Sequence, residues 1–206
     1  MRMDHPDTPT RAIRLHPWGL QVLGCALLWG ALAVEVRAQS TTVTSPNAAF
    51  SRPEVTGLGG VVPTAPVRLR VWGFEVYDAR LWTPVGFRHG QYTQFPFALE
   101  LQYLRKLEGA AIASRSIDEM RRVGSFSDAQ AQSWAGTMRE FFPDVRQGER
   151  ITGINLPGVG AEFWVNGQRA GVVKDPAFAR LFFGIWLDER TSEPKMRAQL
   201  LQGLQP

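Results

Sequence analysis

Few side chains in this sequence are equipped for catalysis. Glu162, Asp188 and Glu189 are the acids of a densely patterned C-terminal part. A two-carboxylate hydrolase needs its acids aimed at one point. Nothing in a strand position followed by an interhelix link enforces that convergence. His89 sits in the loop pattern Arg88-His89-Gly90, with no second histidine near it. Cys25 is the sole cysteine and falls in an N-terminal apolar run. Disulfides, zinc–thiolate sites and cysteine nucleophiles are therefore not expected downstream. What remains is electrostatic. Arg68 and Arg70 alternate with apolar residues, and Tyr77 follows in the next run. If Trp72-Gly73 is a two-residue turn, Arg68 lies opposite Tyr77 and Arg70 opposite Glu75, each pair sharing a face. Val67, Leu69, Val71, Phe74 and Val76 then form the packing face. An arginine grips a carboxylate through two bonds, and a tyrosine hydroxyl adds a neutral donor. The plainer reading of Arg68, Arg70 and Glu75 is a solvated strand face with an exposed ion pair. A one-residue slip would separate Arg68 from Tyr77.

The elements that would position these groups come in blocks. Residues 68–72 and 74–82 read as a hairpin, and 97–104 alternates, with Phe97, Leu99, Leu101 and Tyr103 on one face. Tyr103 reads as core with its hydroxyl at the edge of a cleft. Asp78 and Arg80, expected beside Val76 and Trp82, read either as a partly buried pair or as the strand end where that face opens to water, structural in both cases. Ser116-x-x-Glu119 reads as a capping box that starts a helix carrying Ile117, Met120 and Val123. Ser127-x-x-Gln130 starts another, with Trp134, Met138 and Phe141 as its stripe. Three strands follow, over 150–156, 160–165 and 168–174, with Asn166-Gly167 as a hairpin turn. Asp175-Pro176 opens a helix that Gly184 closes, and Ser192 caps a last one over 193–202. Blocked order predicts an α+β fold, an open-faced, mainly antiparallel β-sheet with helices layered on one face. Gly158-Val159-Gly160 joins two strands, so it is no dinucleotide fingerprint and no cofactor is expected.

Residues 1–38 read as a signal peptide. Arg2, Arg11 and Arg14 precede the apolar run 18–34, and Val36-Arg37-Ala38 suits cleavage after Ala38. An uncleaved anchor and a lipoprotein cut before Cys25 are the alternatives. Removing 38 of 206 residues leaves 168, enough for one domain, and lowers the net charge from +4 to +3. That charge is too mild and dispersed for nucleic acid. No stable membrane span is expected after leader cleavage. The expected location is periplasmic or secreted, where a chain without cysteine is at ease. Residues 39–53, within a Ser/Thr/Pro/Gly-rich stretch reaching Pro66, read as a flexible lead-in, with one strand near 54–58.

The run Phe74-Glu75-Val76-Tyr77-Asp78-Ala79-Arg80-Leu81-Trp82, residues 116–124, Arg150-Ile151-Thr152-Gly153-Ile154, Gly160-Ala161-Glu162-Phe163, Val165-Asn166-Gly167 and Phe182-Phe183-Gly184-Ile185-Trp186-Leu187 jointly resemble the bacterial, secreted branch of the chalcone isomerase-like family. The resemblance covers residues 54–203. It implies a sheet packed on helices with a ligand cleft between them. It also implies one of two occupations, cyclisation of chalcones or non-catalytic binding of fatty acids. The tyrosine of the isomerases falls at Ile112, which cannot donate a hydrogen bond, and their asparagine falls at or near Glu119. The fatty-acid binders hold the carboxylate with an arginine on one strand and a tyrosine on the next, which implies Arg68 and Tyr77, with Arg70 and Tyr103 beside them. The expected function is therefore a non-catalytic periplasmic binding protein for a fatty acid or other small apolar carboxylate. An intramolecular lyase of the chalcone isomerase type and an accessory protein-interaction domain are the alternatives, the protein partner being unspecified.

Overall fold

A computed structural model describes residues 52–206. The expected leader and most of the lead-in lie outside these residues. The elements are α1 (Pro53–Thr56), β1 (Val62–Pro63), β2 (Val67–Val71), β3 (Phe74–Thr83), a 3-10 stretch (His89–Gln94), β4 (Phe97–Tyr103), α2 (Gly109–Val123), α3 (Asp128–Phe141), β5 (Arg150–Leu156), β6 (Gly160–Val165), β7 (Gln168–Val173), α4 (Pro176–Leu187) and α5 (Pro194–Leu200). Seven strands form one antiparallel sheet in the order β1-β3-β4-β5-β6-β7, with β2 also paired to β3. The blocked α+β order is as the patterning implies.

The alternation of side chains sets the two faces of the sheet. Ala79 and Leu81 of β3, Phe97, Leu99, Leu101 and Tyr103 of β4, and Phe163 of β6 are buried in the main core with α2, α3 and α4. The aromatic centre of that core is Phe163, with its ring 5.1 Å from Phe142 and 5.0 Å from Phe182. The opposite face is not bare. Val55 packs there on Trp82, Ala98 and Ile154. Glu54, almost wholly buried, accepts from Arg150 at 3.0 Å and from the Thr152 hydroxyl at 3.2 Å, and Arg52 pairs with Glu100. The strand expected near residues 54–58 is thus a single helical turn, and the segment from Arg52 onward is tied to the sheet. A buried acid with two partners can anchor a chain whose composition alone signals mobility.

Three helix ends differ from expectation. α2 begins at Gly109, seven residues before Ser116. Its first amide donates to Asp144 Oδ1 at 3.1 Å, so a carboxylate from a distant segment supplies the cap. Ser116 lies inside the helix and donates to the Ile112 carbonyl at 2.9 Å. α4 runs through Gly184 to Leu187, and that glycine is needed for contact instead. A Cβ there would stand 2.6 Å from Val123 Cγ1. α5 starts at Pro194 after Glu193, with no side-chain cap from Ser192. Two signals hold. Ser127 and Gln130 form the reciprocal capping box of α3, and Asn166-Gly167 turns with φ of 50° and 82°.

Asp175 does two tasks. Its Oδ1 accepts from the amides of Ala177 at 2.8 Å and Phe178 at 3.3 Å, and its Oδ2 accepts from Trp134 Nε1 at 3.1 Å. Asp175→Ala removes a cap and strands a buried indole donor, and should cost about 2–3 kcal/mol. Urea unfolding checks this, with Asp175→Asn expected to recover roughly half.

Candidate functional site

A cavity of about 320 Å³ opens between the β2–β3 hairpin, α2, the start of α5 and the last turns of α4. Its wall is mostly apolar, from Leu69, Val71, Leu101, Ile112, Phe182 and Met196. Its polar members are Tyr77, Tyr103, Arg115, Ser116, Glu119, Ser192 and Glu193.

The hairpin decides which strand residues reach it. Trp72 and Gly73 both take positive φ, 50° and 84°, so the turn is the two-residue type assumed from sequence. Next to it, Val71 pairs with Phe74 and Arg70 with Glu75, as expected. Then a bulge between Leu69 and Arg70 shifts the register, so Leu69 faces Tyr77 and Arg68 faces Asp78. The inserted residue is Val76. Consecutive side chains of a regular strand point to opposite faces, yet Val76 and Tyr77 both line the cavity.

The bulge corrects the expected pairing. Arg68 does not meet Tyr77. It lies on the outer face, where Nε and Nη2 donate to Asp78 at 2.8 and 2.9 Å and Nη1 donates to Glu75 at 2.9 Å. Hydrogen bonds to Asp78 and then Glu75 push the Arg68 guanidinium above its ordinary range. Arg70 donates to the same Glu75 oxygen at 2.7 Å. This is the solvated ion-pair face, and such pairs contribute little to stability. Neither arginine lines the cavity, whereas Tyr77 and Tyr103 both do. The packing face shifts accordingly. Tyr77 joins Leu69 and Val67 in contact with the main core, while Phe74 is exposed. Asp78 pairs with Arg68, not with Arg80.

The two tyrosines are neighbours. Tyr77 on β3 pairs directly with Tyr103 on β4, with ring centroids 6.1 Å apart and planes at 80°. Trp186 Nε1 donates to the Tyr77 hydroxyl at 3.0 Å, which uses an acceptor site and leaves the phenol proton free. The Tyr103 hydroxyl has no protein hydrogen bond among the described residues, although the residue is buried. Burial pushes both phenols well above the usual tyrosine range, with the Trp186 bond opposing it at Tyr77. Both therefore remain protonated donors at physiological pH.

The cation of the site comes from a helix. Arg115 forms an ion pair with Glu119, its Nη2 lying 2.5 Å from Oε1, and Arg122 Nε lies 3.5 Å from the other oxygen. Arg115 is largely exposed at the mouth, whereas Glu119 is buried. Ile112, Arg115 or Ser116, and Glu119 recur at helical spacing, which puts them on one face of α2. Sequence reasoning missed Arg115 because Ser116-x-x-Glu119 imitates a helix start. A helix begun at Gly109 would have shown the stripe.

Among the described residues no cluster of His, Cys, Asp and Glu could hold a metal ion, and no helix is long and apolar enough to cross a membrane. Trp164 lies on the other sheet face, where its Nε1 donates to Glu162 at 2.7 Å, so it does not plug the cavity. Glu162 also pairs there with Arg169, and Asp188 with Arg190. These acids do not converge on the cavity.

An open antiparallel sheet with helices and a cleft between hairpin and helices defines an α+β fold with a cleft. Residues 65–202 match the chalcone isomerase-like family, and the chain belongs to it. It is similar to an uncharacterized protein of Haemophilus influenzae, 31% identical over 131 residues, and spans 63% of that protein's length with 63% of its own. Among solved structures it is similar to an Arabidopsis thaliana fatty-acid binding protein, with a TM-score of 0.51 and 15% identity over 70% of this chain and 85% of that one. The latter likeness is one of fold. Ile112 and Glu119, at or near which the sequence resemblance places the isomerases' tyrosine and asparagine, both line the cavity. From β2 the cavity receives Leu69 and Val71, and neither Arg68 nor Arg70.

Proposed function

We propose that the protein is a non-catalytic carrier of a small apolar carboxylate, such as a fatty acid, working outside the cytoplasm after removal of residues 1–38. The carrying observation is the pair of phenolic donors with unspent protons inside an apolar cavity. Phenols that line an apolar cavity are the few polar groups that would fix an occupant's orientation. A carboxylate has two oxygens, one for each phenol, and its tail would lie on Leu101, Ile112 and Phe182. Arg115 at the mouth adds attraction through the donors that Glu119 leaves unused. The volume fits the small end of ligand pockets, roughly 300–1,000 Å³. The fatty-acid binding neighbour of the same fold supports the reading, and the leader pattern supports export. Against a lyase of the chalcone isomerase type stands the apolar Ile112 where that chemistry needs a hydroxyl.

Protein purified from an exporting host should release a stoichiometric apolar acid to solvent extraction and mass spectrometry. Tyr77→Phe with Tyr103→Phe should lower its occupancy about tenfold or more, since bonds to a charged group contribute roughly 1.5–3 kcal/mol each. Arg68→Ala should leave it unchanged. An empty wild-type protein, or a double variant as full as the wild type, would sink the carrier reading. Chalcone cyclisation faster than buffer would favour the lyase instead.

A further inference from the structure

The β2–β3 hairpin ends in an apolar tip that the fold does not use. Trp72 is 95% exposed, Phe74 62% and Val71 38%. Turn chemistry does not account for the tryptophan. The two tight hairpins of the sheet share one turn conformation, with φ of 50° at both Trp72 and Asn166. Asparagine is a residue that this conformation favours, while a bulky aromatic there is an outlier. Scattered exposed hydrophobics are ordinary, but three within four residues at one tip make a patch.

The surroundings of the tip indicate its partner. The Arg105 guanidinium lies 5.2 Å over the Phe74 ring, and the next residue, Lys106, is exposed. The exposed or half-buried acids nearby are Glu75, bound to Arg68 and Arg70, Asp78, bound to Arg68, Glu108, and Glu193 at the cavity mouth. Arg68, Arg70, Arg105, Lys106 and Arg115, the last also at the mouth, outnumber these four by one. Tryptophan settles at the headgroup level of a bilayer, and cations beside it are drawn to anionic lipid. The tip also adjoins the cavity, since Val71 is at once part of the patch and part of the cavity wall.

We propose that the hairpin tip docks on an anionic bilayer surface, with Trp72 and Phe74 at headgroup depth and the cavity mouth turned toward the lipid. An apolar occupant then exchanges with the bilayer along Val71 and Val76 without crossing water. The contact is peripheral. The proposal goes beyond the carrier reading, and its test does not depend on what the cavity holds.

Vesicles of phosphatidylcholine with roughly one phosphatidylglycerol in three provide the surface. The full chain and its Trp72→Ser/Phe74→Ser variant are sedimented with them. Residues 1–38 are common to both, so a difference reports the tip. Partition should fall about tenfold or more in the variant, with the unfolding midpoint little changed because both side chains are mostly exposed and the Arg105–Phe74 contact is a surface one. Brominated acyl chains provide the second reading. A quenched component of tryptophan emission should be present in the wild type and absent in Trp72→Phe. Equal partition and equal quenching overturn the proposal. So does a variant that differs only by passing from dimer to monomer in light scattering, which assigns the tip to a second copy. Lipid retained in the cavity with no vesicle binding removes this proposal alone, and vesicle binding with an empty cavity removes the carrier reading alone.

Discussion

Phe163→Ala is expected to destabilise the protein by about 3–5 kcal/mol, the usual cost of truncating a core phenylalanine. The residue is fully buried, and four phenylalanine rings surround it, Phe142 and Phe182 at 5.1 and 5.0 Å and Phe178 and Phe141 at 6.1 and 6.4 Å. These rings come from α3, the chain just after it, and α4, so no single element can close the hole. Gly153 on the adjacent strand is also fitted to the ring, since a Cβ there would stand 3.2 Å from it. A typical domain has about 5–15 kcal/mol of total stability, so the loss is a large share. Phe142 and Phe182 line the cavity as well, and under the carrier proposal their loosening should weaken retention of the apolar acid. Urea unfolding measures the first effect. Phe163→Leu, which keeps much of the volume, should cost less than half as much. A loss below about 1.5 kcal/mol for alanine would show that the aromatic centre is not close-packed.

Gly109→Ala should cost about 3 kcal/mol, at the top of the range for overpacking. A Cβ at this position would stand 1.9 Å from the Phe142 carbonyl oxygen and 2.8 Å from the carbonyl carbons of Phe142 and Pro143. All three are backbone atoms, so rotamer changes cannot relieve the clash. The helix start must move away from residues 142–145, which also hold it through the Asp144 cap and the Leu107–Val145 pairing. α2 carries Ile112, Arg115, Ser116 and Glu119 along the cavity. The substitution should therefore lower the unfolding midpoint and, under the carrier proposal, the occupancy of the cavity. Asp144→Ala removes the cap without the clash and should cost only about 1 kcal/mol. Equal losses for the two variants would mean that the cap, not the close approach, sets the position of α2.

How far the site could be read in advance depended on the range of the interactions. The α3 capping box and the Asn166-Gly167 turn are local, and the residues that make them are within four positions of one another. The α2 start is different, because its cap is supplied by Asp144, 35 positions away. A real Ser-x-x-Glu spacing inside the helix then offered a false local start. The short N-terminal turn was missed for a similar reason. Glu54 is held by Arg150 and Thr152, partners roughly a hundred residues on that no window contains.

Blocks of alternating and helical periodicity, two glycine-bearing hairpin turns and the apolar stripes were enough to determine an antiparallel sheet with helices on one face, because each is a property of neighbouring residues. The tertiary structure alone decided which polar groups meet the cavity. One inserted residue at Val76 sends Arg68 outward to Asp78 and leaves Tyr77 inside with Tyr103. A strand carries side chains with period two, so a single bulge reverses the face of every residue beyond it. Whether a bulge forms is settled by packing across the sheet, and packing is not a local property.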